Sequence, residues 1–258
     1  MTTSDLPARG DCTRRSVTGA AHFEITDRDA IRVFPTVRRV KRILVLIVAL
    51  GALGLGGCAT AERAADPAGG GLLRQSAAPA SVRLRQNIVP KGRVGRHREF
   101  PLRARYITIH STGNRGATAQ QHARGMAAGA FRGKSKWNRT GYMTWHFSVD
   151  DREAIQSLPL TIQGEHADHD GPGNRLSIAI EIAEFRDRRR QAAAIDRAAR
   201  LTAWLLRDQG IALDHVVPHY HWPQRHFHNH QKNCPRVLLD RGRPGPRWNA
   251  FLRKVQSY

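Results

Sequence analysis

The segment Ser177 to Ala183 (SIAIEIA) constrains the fold more than any other stretch of the chain. Its period of two sets Ile178, Ile180 and Ile182 on one face and Ser177, Ala179, Glu181 and Ala183 on the other. Burying an isoleucine stabilises by about 1.5–3 kcal/mol, so that face needs a covering layer. The opposite face carries a carboxylate, which is costly to bury without a partner. Glu181 is therefore expected on the floor of a cleft, beside a partner such as a metal-bound water.

Other segments extend the pattern. Arg105 to Ser111 alternates in the same way, with Ile107 and Ile109 on one face and Tyr106, Thr108 and His110 on the other. Thr144 to Asp150 reads as a strand, Asp150-Asp151 as a turn, and Glu153 to Leu158 as the hairpin partner. Thr118 to Phe131 is Ala-rich and predicted helical. Arg190 to Gln209 is a clear amphipathic helix stopped by Gly210, and Trp248, Phe251, Leu252 and Val255 mark a last one. Asp214 to Pro218 is a short strand or strand-to-loop passage. Strands and helices interleave, which predicts one α/β domain over residues 100–258, a central mixed β-sheet flanked by helices.

The region before it differs. Residues 43–57 (ILVLIVALGALGLGG) hold no charge and follow Arg38, Arg39, Lys41 and Arg42. This run is short for a bilayer span but suits a signal-peptide core. It ends in Leu55-Gly56-Gly57-Cys58, which resembles the lipobox of bacterial lipoproteins. That resemblance implies acylation at Cys58, with residues 1–57 discarded as N-terminal extension and signal peptide. Residues 1–36 are an unusual prefix, and translation starting near Val37 is expected. Ala59 after the cysteine, rather than Asp, implies an outer-membrane lipoprotein facing the periplasm. Residues 58–99 lack a sustained period and read as a basic tether.

The chain has 42 Lys+Arg against 21 Asp+Glu, a formal net charge of +21. Such an excess points to a polyanionic partner, either nucleic acid or an anionic envelope. The basic residues are scattered and no nucleic-acid motif is present, so no nucleic acid is expected. Three cysteines are too few for a disulfide scaffold.

His110 closes its strand on the face away from the isoleucines. The stretch His215 to Cys234 holds six histidines and a cysteine. His219, after Pro218, and Cys234, before Pro235, would complete a His/His/Cys set with His110. Two imidazoles and a thiolate suit tetrahedral zinc with a fourth position open to water, the catalytic pattern. His226 is a rival ligand. His221, His228 and His230 read as solvated loop histidines.

YITIHST (106–112), GYMTWHFSVDD (141–151), GEHADHDGPGN (164–174), LSIAIEIAE (176–184) and VVPHYHW with KNCPRVLL (216–239) occur in that order. Together they resemble the zinc-dependent N-acetylmuramoyl-L-alanine amidases of type 2, a fold shared with phage endolysins and peptidoglycan recognition proteins. The resemblance implies that His110, His219 and Cys234 hold Zn2+, and that Glu181 is the catalytic glutamate. It implies that Lys232 faces the reacting carbonyl and that His166 lines the substrate groove. Trp145 stands where many relatives have tyrosine, and is either a stacking platform for substrate or packing. Asp168, Asp170 and Asn174 either line the groove or cap a loop.

The implied reaction is hydrolysis, by zinc-activated water, of the amide between the lactyl group of N-acetylmuramic acid and L-alanine. Its partners would be peptidoglycan or muropeptide fragments, and the membrane through the lipid anchor, with the protein a monomer. The alternative is a peptidoglycan-binding lipoprotein without activity. Retention of all five implied zinc and catalytic residues speaks against that.

Overall fold

A computed structural model describes residues 77–224, 226 and 230–258. Cys58 and the whole N-terminal leader lie outside these residues, as does His228. Six strands form one sheet: β1 (Leu84–Gln86), β2 (Tyr106–Arg115), β3 (Phe147–Val149), β4 (Ala154–Gln156), β5 (Ser177–Glu184) and β6 (Val216–Pro218). Their order is β1-β4-β3-β5-β2-β6. Only the β3–β4 hairpin pairs antiparallel in this sheet, so the sheet is mixed. The hairpin turn is built on Asp150, whose carboxylate accepts from Arg152 N and Glu153 N and, across the gap, from Ala119 N.

Among the described residues the α-helices are α1 (Ala119–Ala127), α2 (Pro172–Leu176), α3 (Arg188–Gln209) and α4 (Pro246–Gln256). The isoleucines of β2 and β5 form the inner layer of the main core. Ala194, Ala198, Leu201 and Leu205 of α3 and Trp248, Phe251 and Val255 of α4 cover them. Asp187 caps α3 by accepting from Arg190 N, and Gly210 ends it at φ 62°, a conformation glycine adopts without a Cβ penalty.

Register places the chemistry. Parallel pairing sets Ile109 against Ile180 and therefore His110 against Glu181. On the other flank of β2, Ile109 pairs with Pro218, so His219 leaves β6 at the height of His110. Three neighbouring parallel strands thus deliver three functional side chains at one level.

One boundary differs from the sequence reading. The tether does not extend to residue 99: Val82 and Val89 are fully buried, and β1 pairs with β4 in register. Arg197 of α3 also donates to the carbonyls of Ser81 and Val82. A three-residue edge strand supplies too few positions for a period of two to show. Among the described residues no helix is long and apolar enough to cross a membrane.

Candidate active site

His110, His166, Glu181, His219, Lys232, Cys234 and Trp145 all line one cavity of about 400 Å³. At its floor one ligand atom each from His110, His219 and Cys234 lie within 4.8 Å of one another. Nδ1 of His110 is 3.8 Å from the Cys234 sulfur and 3.9 Å from Glu181 Oε1. Cys234 is held by its neighbours: Ser111 N donates to its sulfur, and its carbonyl accepts from Tyr220 N.

Burial dominates the electrostatics. It holds His110 well below the ordinary imidazole range, with His219 and His166 adding to the effect. Burial and then the Lys232 ammonium bring His219 down to about 4. Both rings are therefore neutral and keep a lone pair for a metal. Burial pushes the Cys234 thiol up, and pushes Glu181 up to about 8 with help from Glu184. A cation held by the three side chains would reverse both shifts, because it favours thiolate and carboxylate.

The donor set fits zinc on a second count. His166 Nε2, Glu181 Oε2 and His219 Nε2 are buried without a hydrogen-bond partner, and all three residues line this cavity. Buried polar atoms left unpaired are costly, so a cleft that gathers them is built for a polar occupant.

The structure decides between the sequence alternatives. His226 is outside the cluster: it is exposed, lies 3.2 Å from Asp170 Oδ1 and stacks on Trp137 at 4.1 Å. Asp168 accepts from Gly173 N and Asn174 N and so caps α2, as the loop reading expects. Trp145 lines the cavity and also packs into the domain. It is 6% exposed, its Nε1 donates to Ser148 Oγ, and its ring packs against Phe131, Met126 and Ala179. His221 and His230 are exposed.

The cavity residues not singled out from sequence include His122 and Glu165. His122 sits on the inner face of α1 with Ala119, Ala123 and Met126, a spacing of i, i+3, i+4, i+7 that marks a buried stripe. Glu165 is buried beside His166 and pairs with Arg139 at 3.0 Å. Burial still pushes it up to about 7 against that arginine. Its signal was its place in the GEHADHD segment.

Known proteins resemble this chain in sequence and in fold. The profile of the N-acetylmuramoyl-L-alanine amidase family matches residues 100–237. N-acetylmuramoyl-L-alanine amidase XlyA of Bacillus subtilis (strain 168) is 38% identical over 173 residues, 66% of this chain and 50% of its own length. N-acetylmuramoyl-L-alanine amidase CwlH of the same organism is 34% identical over 184 residues, covering 68% and 62%. The chain thus spans between half and two thirds of these curated relatives. The solved catalytic domain of XlyA superposes with a TM-score of 0.53 at 35% identity, covering 67% of this chain and 99% of that one. PlyL gives 0.54 at 27% identity, covering 67% and 96%. With profile, relatives and sheet in agreement, the chain belongs to the N-acetylmuramoyl-L-alanine amidase family.

Proposed function

We propose that this protein is a zinc-dependent N-acetylmuramoyl-L-alanine amidase of the cell wall, acting as a monomer. Its substrate is the amide joining the lactyl group of N-acetylmuramic acid to L-alanine, in peptidoglycan or muropeptide fragments. The observation that carries this reading is Glu181 Oε1 standing 3.9 Å from Nδ1 of His110, inside the His110–His219–Cys234 cluster.

His110, His219 and Cys234 would hold Zn2+, which supplies Lewis acidity and makes water nucleophilic near neutral pH. Glu181 takes a proton from the attacking water and returns it to the departing alanine nitrogen as the C–N bond breaks. Lys232, on the cavity wall, presents its ammonium to the oxygen of the reacting carbonyl, where negative charge develops. Neutral imidazoles around the cluster keep positive charge from competing there.

Incubating the protein with purified sacculi, with and without chelator, tests this reading by mass spectrometry of the soluble products. Free stem peptides that vanish on chelation are expected. Sedimentation with the wall but no release would leave the binding-only alternative instead.

The lipid anchor rests on the sequence at residues 38–58 alone. Cys58 is acylated in this reading and tethers the domain to the outer membrane, facing the periplasm. Fatty-acid labelling in cells should mark the wild type and not Cys58→Ala, which should move to the soluble fraction. Equal labelling of both proteins would refute the anchor.

A further inference from the structure

His110 uses both ring nitrogens. Nδ1 faces the Cys234 sulfur, and Nε2 lies 3.0 Å from Nδ1 of His166. The two rings meet edge to face, at 90° with centroids 5.0 Å apart. A neutral imidazole donates from one nitrogen and keeps its lone pair on the other. When His166 accepts at Nδ1, the His110 proton sits on Nε2 and its lone pair points toward Cys234. The same choice puts the His166 proton on its own Nε2, a buried atom.

The backbone beneath His166 is clamped. Asn174 Oδ1 accepts from His166 N at 2.9 Å and from Ala167 N at 2.7 Å. Asn174 Nδ2 donates to Glu165 Oε1 at 2.8 Å, and Asn174 is 1% exposed. The ring opposite His110 is thus carried on a peptide whose amides are already committed.

We propose that His166 is a positioning residue for the metal site: by accepting Nε2–H of His110 it sets that ligand's tautomer and ring orientation. This inference rests on the zinc reading of the His110–His219–Cys234 cluster. Partners of this kind act on the ligand rather than on the metal, and removing one weakens metal affinity without removing a ligand.

The test is zinc affinity of the full chain, by competition with a chromophoric chelator, for wild type, His166→Ala and His166→Asn. Asparagine places an amide oxygen where Nδ1 stood. His166→Ala should bind zinc about 10- to 100-fold more weakly, and His166→Asn should recover most of that loss. Wild-type affinity in His166→Ala overturns the inference, and so does an asparagine variant as weak as the alanine one. A wild type that takes up no zinc fells the metal reading, and this inference with it. Long-range nitrogen–proton NMR on the zinc-free wild type gives a second measurement that needs no variant. The His110 proton is expected on Nε2, and finding it on Nδ1 overturns the inference.

Discussion

Glu181 shows how one residue's place decides its chemistry. Its neighbours on β5 are aliphatic, its strand partners at the same height are His110 and Ser148, and one of its oxygens has no hydrogen-bond partner. A carboxylate so desolvated is a poor surface group but a good proton acceptor once a cation stands beside it. Glu181→Ala should therefore keep zinc and wall binding while losing about 10²- to 10⁴-fold in peptide release. Stem-peptide release assays beside zinc titration of the same sample check this, and near-native turnover would remove Glu181 from the mechanism. The histidines make the complementary point. His110 and His219 reach the cluster because their strands end at one level, whereas His226 is drawn off by Asp170 and Trp137.

Between elements, the layer covering the isoleucines depends on how α3 and α4 are joined. Asp196 of α3 accepts from Lys254 Nζ and Tyr258 OH at 2.6 Å and from Arg200 Nε at 2.9 Å. Burial works against its charge, but those hydrogen bonds together outweigh it and hold the carboxyl at about 2, below its ordinary 3.8. The folded state therefore favours the ionised form. This contribution to stability is complete above pH 4 and is lost as pH falls toward 2. Asp196→Asn should cost about 1–2 kcal/mol at neutral pH. It should also flatten the stability curve between pH 4 and 2, as read by denaturant unfolding across that range. An unchanged acid limb would show that the clamp contributes nothing through charge.

For the molecule as a whole, the segment before residue 100 is part of the fold. Burial of Val82 and Val89 is worth about 3–6 kcal/mol together, a large share of the 5–15 kcal/mol that holds a typical domain. Removing β1 also exposes the edge of β4, an invitation to aggregate. A chain beginning at Phe100 should melt about 10 °C or more below one beginning at residue 77, or precipitate. Thermal unfolding of the two side by side decides it, and equal midpoints would restore the longer tether. The charge moves with the boundary. Residues 77–258 hold 31 basic and 14 acidic residues, a net +17, whereas residues 58–76 hold two of each. The positive surface thus belongs to the domain, where it favours approach to a polyanionic partner.

Much of this was legible in the chain. Periods of two at Arg105 to Ser111 and Ser177 to Ala183 predict the two longest strands, β2 and β5, and the 3.6 period after Arg190 with Gly210 behind it predicts α3. Long periodic segments repeat their signal, so they can be read locally. The candidate ligands were legible as residue types too, because His110 closes an alternating strand while His219 follows Pro218 and Cys234 precedes Pro235. Three features depend on contacts between distant segments: the short edge strand β1, the packing of Trp145 against α1, and the His110–His166 pair. Separations of 70 residues between β1 and β4, and of 56 between the two histidines, leave no local periodicity to detect. Sequence alone determined the α/β class, the isoleucine layer and the candidate metal-binding residue types. Only the tertiary structure decided which of the histidines meet, because strand register, not spacing along the chain, sets the distance between their rings.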